Sequence, residues 1–126
     1  MKISEIKRAF GHRLIGTNYM KKAVCQTLLL LPLDLINFVT KHVWFVGSFG
    51  DGWAFTLKGT EIGKGEYLIF LSDELLEAGW DDICYTVLHE VGHVILGHRN
   101  SIGEVQSKAE VKLQERQADE FARKFI

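Results

Sequence analysis

The sequence has little of what marks secreted or nucleic-acid-binding proteins. Only two cysteines are present, Cys25 and Cys84, far apart and without CxxC spacing. We interpret both as buried reduced thiols, because nothing indicates a disulfide framework or a cysteine metal site. The net charge is −1 with the two signs interspersed, so no electrostatic footprint for nucleic acid is present.

The sequence also has no apolar run long enough to cross a bilayer. Its most apolar stretch, residues 28–39, is interrupted by Pro32 and Asp34, whereas a membrane helix needs about 20 apolar residues. This stretch starts too late in the chain, and lacks a cleavage site, for an ordinary secretory signal. We therefore expect a cytoplasmic protein that does not contact a membrane.

The length and composition predict one α+β domain covering residues 1–126. With 47% hydrophobic residues, the chain has enough material for a single core. We predict four parts: an N-terminal helical part (1–42), a small sheet (43–71), a helix (80–98) and a C-terminal helix (105–126). Within the first part, a short helix should end near Gly11, a second should start near Asn18, and a third should run from Pro32 to about His42.

Three segments rich in β-branched and aromatic residues predict the sheet: 43–46, 53–57 and 67–71. Turn-forming residues separate the first two, which predicts an antiparallel hairpin and then a three-stranded antiparallel meander. The third segment, Tyr67–Leu71, is apolar on both faces and should be covered on both. It is our candidate for an edge strand that binds an extended peptide, and an interior strand is the alternative. Ser72 or Asp73 should cap a short helix.

The strongest motif is His89-Glu90-Val91-Gly92-His93, an HExxH sequence. Residues four apart lie one turn apart on the same helix face, so both imidazoles can reach one ion. Glu90 would lie beside that ion as a general base rather than a ligand. The surrounding sequence predicts a helix independently, because its apolar residues form one buried stripe. That stripe comprises Cys84, Val87, Leu88, Val91, Val94 and Ile95.

A catalytic zinc usually has a third protein ligand, for which Glu115 is our candidate. It completes the spacing of an apolar stripe on the C-terminal helix formed by Val111, Ala118, Ala122 and Phe125. An ionised carboxylate on such a buried face would need a cation. Asp119, one turn further on, is placed to accept the second ring N–H of a ligating histidine.

The alternatives to Glu115 fit the sequence less well. Glu104, Glu110 and Glu120 should lie in a linker or on the polar face, where they are solvated. His98 could be a third ligand, but proteases with three histidines have Gly and His three and six residues after the second histidine. Here Gly97 and His98 follow His93 by four and five.

These residues resemble the ImmA/IrrE family of small bacterial and phage metallopeptidases. The resemblance rests on the HExxH helix ending in Gly97-His98 and on Glu115-Arg116-Gln117-Ala118-Asp119-Glu120-Phe121-Ala122, similar to the family pattern E-x-x-A-[D/N]-x-F-A. It implies one zinc ion per chain held by His89, His93 and Glu115, with Glu90 as general base. It also implies a protein substrate such as a helix-turn-helix repressor of a mobile element.

The sequence therefore predicts a zinc metallopeptidase, that is, a hydrolase of the gluzincin type. A second group should stabilise the oxyanion, and His98, Tyr85 and Tyr67 are the candidates. A rival from another class is a zinc-stabilised interaction module without proteolytic turnover, since chains of that family commonly continue beyond the second motif. A third hypothesis is that the chain is a structural domain that binds no metal.

Overall fold

The N-terminal part is helical, as predicted. The computed structural model describes residues 1–48, 54–58, 65–98 and 106–126. It contains α1 (Ile3–Phe10), a 3₁₀ turn (Gly11–Arg13), α2 (Asn18–Leu28) and α3 (Leu33–His42). Thr17 caps α2 by accepting a hydrogen bond from the Met20 N–H at 3.1 Å, and Pro32 lies at the N-cap of α3. The predicted break between the first two helices is confirmed, but it contains a two-residue strand, β1 (Leu14–Ile15), that the sequence analysis missed.

A mixed sheet of four strands follows within the described ranges. Its other strands are β2 (Val43–Ser48), β3 (Ala54–Lys58) and β4 (Tyr67–Ser72), and the spatial order is β1-β2-β4-β3. Strand β2 is parallel to both β1 and β4, whereas β3 is antiparallel to β4. The predicted turn residues 49–52 lie outside the described residues.

The predicted antiparallel meander is wrong, although the α+β class agrees with the structure. Strand β4 lies between β2 and β3, with Phe45 opposite Ile69 on one side and Thr56 opposite Ile69 on the other. A strand with apolar residues on both faces is suited to the middle of a sheet. Turn propensity in 47–52 suggested a local hairpin, but β2 pairs with β4 in parallel and β3 pairs with the other side of β4. Tyr67–Leu71 is therefore an interior strand and not the predicted peptide-binding edge.

Three helices complete the described fold. Helix α4 (Asp73–Leu76) is capped by Ser72, whose Oγ accepts a hydrogen bond from the Leu75 N–H at 3.2 Å, as predicted. Helix α5 (Trp80–Ile95) carries the HExxH sequence, and α6 (Lys108–Arg123) begins at Ser107, which caps it through the Glu110 N–H. Helix α5 packs against α2, α4, β3 and α6. No helix of the described residues is long and apolar enough to span a membrane.

The predicted apolar stripe of α5 is confirmed and anchors this helix in the core. Five of its residues are buried and Ile95 is half-buried. Burial of each such side chain stabilises the fold by about 1.5–3 kcal/mol. The core continues to the N-terminal helices, where the rings of Phe10 and Phe45 meet edge to face with centroids 5.7 Å apart. Packing in the core therefore holds helix α5, and with it the backbone of its histidines, in one position.

Candidate metal centre

His89 and His93 lie one turn apart on α5 with their rings close together. The ring centroids are 4.9 Å apart and the planes are nearly perpendicular, at 87°. His93 is buried, at 3% exposure, whereas the His89 side chain is 15% exposed. The pair lies at the edge of the core, as the helix phase predicts.

Glu115 on α6 reaches both histidines. Its Oε2 lies 2.8 Å from His89 Nε2, and its Oε1 lies 3.2 Å from His93 Nε2. The Glu115 side chain is 55% exposed, and Val111 is exposed as well. The burial argument for Glu115 was therefore wrong, but the helix phase still turned its carboxylate towards α5.

The three side chains fit a metal ion. Ligand atoms of His89, His93 and Glu115 all lie within 4.8 Å of one another. In a tetrahedral zinc site with bonds of about 2.0–2.1 Å, neighbouring ligand atoms are about 3.3 Å apart. Two imidazoles and one carboxylate are also a donor set that zinc accepts, with the fourth position left for water. Small side-chain movements would complete the geometry.

The electrostatic surroundings favour a neutral His93. Burial is the main cause that lowers the pKa of His93 to about 4; Glu115 opposes the shift, and the nearby His89 and His98 rings contribute to it. His93 is therefore uncharged at neutral pH. A neutral imidazole has the free lone pair that a metal ligand requires.

Glu90 is part of the same helix turn but not of the three-residue group. Its side chain is buried, at 8% exposure. Each helical residue is rotated by about 100° from the one before, so Glu90 lies beside the ligand face rather than on it. This position agrees with a role other than metal ligation.

His98 is buried behind His93. Gly97, two residues beyond the end of α5, has a left-handed conformation (φ 69°), and the His98 N–H that follows donates to the His93 carbonyl at 3.0 Å. The Nδ1 atoms of His98 and His93 are 2.8 Å apart, and His98 Nε2 lies 2.9 Å from Gln117 Oε1 on α6. Both ring nitrogens of His98 are thus engaged, which argues against the predicted oxyanion contact.

Asp119 has partners other than the predicted histidine. Its Oδ1 accepts a short hydrogen bond from the Tyr85 hydroxyl, and its Oδ2 accepts from Arg123 Nε at 2.9 Å. These hydrogen bonds lower the pKa of Asp119. The buried His89 Nδ1 has no hydrogen-bond partner among the residues that the structure describes, so the expected contact with Asp119 is not made.

The two tyrosines lie in different places. The ring of Tyr85 is 5.7 Å from that of His89, so Tyr85 lies beside the metal centre. Burial and the contact with Asp119 raise the pKa of Tyr85 to about 12, which keeps its hydroxyl protonated. The aromatic neighbour of Tyr67 is instead Phe38 on α3, with ring centroids 6.5 Å apart.

Two residues that sequence reasoning missed hold the helices together. A Cβ atom at Gly92 would lie 3.0–3.2 Å from three side-chain atoms of Phe121, so glycine allows α6 to approach α5 this closely. A glycine in the middle of a helix is unfavourable. The presence of Gly92 in the predicted helix could therefore have indicated a close contact with another element. The role of Gln117 could not be predicted from the sequence, because its partner His98 lies beyond the end of α5 and helix periodicity does not place it.

Part of the chain is similar to a known family of peptidases. Helices α5 and α6 together present two imidazoles and one carboxylate that could hold a metal ion. The family model of Peptidase U49 matches residues 81–126, the part that contains α5 and α6. No curated protein and no solved structure matches the chain. The similarity indicates a peptidase, whereas the closer relation to the ImmA/IrrE family stays a prediction.

Proposed function

We propose that the protein is a zinc-dependent metallopeptidase in which His89, His93 and Glu115 hold the ion. The observation that carries this proposal is the convergence of both Nε2 atoms on the two carboxylate oxygens of Glu115. The family match over the same two helices supports the reaction class. Zinc would polarise the scissile carbonyl and lower the pKa of a water molecule to about 7.

Glu90 would transfer the proton. In this reaction the oxygen of a water molecule bonds to the carbonyl carbon and the C–N bond breaks. Glu90 accepts a proton from that water and delivers it to the leaving nitrogen, acting as a base and then as an acid. Tyr85 is the remaining candidate for a substrate contact, because its ring lies 5.7 Å from that of His89. Its hydroxyl donates to Asp119, so it would have to exchange that hydrogen bond to stabilise an oxyanion.

The substrate would be bound in an extended conformation along β3. Among the described strands, β4 is paired on both sides, whereas β3 is at one end of the sheet order and packs against α5. An extended peptide can add to such an edge through backbone hydrogen bonds. The resemblance to the ImmA/IrrE family further suggests a DNA-binding repressor of a mobile element as the partner protein.

The test is a comparison of wild type with Glu90→Gln, using Glu120→Gln on the exposed face of α6 as the control. Wild type and both variants should bind one zinc ion per chain, measured by elemental analysis. New protein N-termini, identified by mass spectrometry in cells that express wild type or the control, should be absent with Glu90→Gln. If zinc is bound but the N-termini are the same in all three, the chain is the non-proteolytic interaction module.

A further inference from the structure

The end of α5 places His98 at a defined position behind His93. Gly97 adopts the left-handed conformation, and the Gly97 N–H donates to the Val94 carbonyl at 3.1 Å while the His98 N–H donates to the His93 carbonyl. This pair of hydrogen bonds is the Schellman motif, which reverses the chain direction. The backbone of His98 is therefore held by the same residue, His93, that its ring contacts.

A chain of hydrogen bonds then links α6 to the candidate metal ligand. It runs from Gln117 Oε1 to His98 Nε2 over 2.9 Å, and from His98 Nδ1 to His93 Nδ1 over 2.8 Å. His98 is buried, at 7% exposure. The chain ends at His93 Nε2, which faces Glu115 Oε1.

The direction of these hydrogen bonds follows from the amide oxygen of Gln117. A carbonyl oxygen only accepts, so His98 must donate from Nε2. A neutral imidazole carries one N–H, which leaves His98 Nδ1 as the acceptor for the Nδ1–H of His93. His93 then has its only proton on Nδ1 and a lone pair on Nε2. The 3.2 Å contact of Nε2 with Glu115 Oε1 is in that case a contact between two electron-pair donors, which is the arrangement of two ligands of one ion and not of a hydrogen bond. The opposite direction would place a proton on Nε2 and block metal binding.

We propose that Gln117 and His98 are positioning residues that set the tautomer and ring orientation of His93, so that its Nε2 lone pair faces the metal. This proposal rests on the metal site of the proposed function, but the tautomer can be measured without metal. Outer contacts of this kind typically change metal affinity by about 10–100-fold. Gln117 differs in position from Asp119, the residue that the sequence analysis expected to orient a histidine.

The test compares Gln117→Leu and His98→Phe with wild type, and uses Gln114→Leu as the matched control. Gln114 lies on the same helix but is hydrogen-bonded to Gln106. Zinc affinity of the full chain, measured by competition with a chromophoric chelator, should weaken about 10–100-fold in the first two variants. It should change less than about twofold in the control. Gln117→Glu, which keeps an acceptor oxygen, should retain the affinity.

The second measurement is the ¹⁵N NMR spectrum of the histidines in the metal-free protein. Without metal, Glu115 Oε1 competes for a proton on His93 Nε2, so the measured quantity is the ratio of the two tautomers. The Nδ1–H fraction of His93 should be larger in wild type and Gln117→Glu than in Gln117→Leu. Unchanged affinity and tautomer in Gln117→Leu would overturn the proposal even if His98→Phe does not fold. If wild type binds no zinc, the proposed function fails. The tautomer measurement still shows whether Gln117 and His98 set the protonation of His93.

Discussion

Glu115 bridges His89 and His93 from a neighbouring helix, with one carboxylate oxygen 2.8 Å from the first ring and the other 3.2 Å from the second. The carboxylate is more than half exposed, so exchange of Glu115 should affect metal binding far more than the metal-free fold. Substitution of Glu115 can therefore separate an effect on metal binding from an effect on the stability of the metal-free fold.

Glu115→Ala is expected to weaken zinc binding by at least about 100-fold, more than is typical of an outer contact. Zinc at 100 times its Kd stabilises a folded protein by about 2.7 kcal/mol, so added zinc should raise the Tm of wild type but not of the variant. The metal-free Tm values should be similar. Calorimetry with and without zinc checks both expectations, with Glu110→Ala on the exposed side of α6 as control. Equal zinc affinity in wild type and Glu115→Ala would refute the ligand assignment.

Gly92→Ala should disturb the contact between α5 and α6. The added Cβ would lie 3.2 Å from the Cβ of Phe121, so rotation of the phenylalanine ring cannot relieve the contact. Overpacking costs about 1–3 kcal/mol, and the better helix propensity of alanine offsets about 1 kcal/mol of it. Zinc affinity should also fall, because movement of α6 moves Glu115.

A double-mutant cycle with Phe121→Ala measures this coupling. Phe121→Ala removes two of the three close atoms, Cγ and Cδ1, but keeps the Cβ. Gly92→Ala should therefore be less destabilising in the Phe121→Ala background, although not neutral. Additive changes in the free energy of unfolding, obtained from urea titrations, would show that the two residues do not compete for space.

The stability of the metal-free protein should fall as the pH decreases from about 6.5 to about 4. The pKa of His93 is lowered from 6.5 to about 4 in the fold, so in this range the unfolded chain binds a proton that the folded chain does not. The free energy of unfolding therefore rises with pH between about 4 and 6.5. Above this range His93 is neutral in both states and causes no further change. Urea denaturation in the presence of a chelator measures the slope, which should be smaller in His93→Gln. An identical slope in that variant would contradict the assignment.

The local features of the site were predictable because they depend on residues close in sequence. A separation of four residues fixes the relative directions of His89 and His93 on a helix, and Ser72 is followed by the short helix it caps. The same reasoning placed the helix boundary between α1 and α2. In each case the deciding contact lies within one or two turns.

The remaining features depend on contacts between distant residues. The position of β4 between β2 and β3 was not readable from turn residues, because it depends on pairing between strands that are far apart in the sequence, such as Phe45 with Ile69. Asp119 was assigned to a histidine by spacing alone, whereas the structure gives it Tyr85 and Arg123 as partners. Spacing identifies a shared face but does not choose among the groups near it.

Gly97→Ala should reveal how far the helix end controls the site. A Cβ atom at this position meets none of the described residues within 4 Å, so the cost expected from the described structure is that of the left-handed backbone, about 1–2 kcal/mol for a residue other than glycine. Gly97→Asn should cost less, since asparagine tolerates this conformation better. Leu96→Ala, at an exposed residue with ordinary helical angles, is the control. If the His98–His93 contact depends on the turn, zinc affinity should decrease in the order Leu96→Ala, Gly97→Asn, Gly97→Ala. An equal loss of stability without any loss of affinity would mean that His98 keeps its place without the turn.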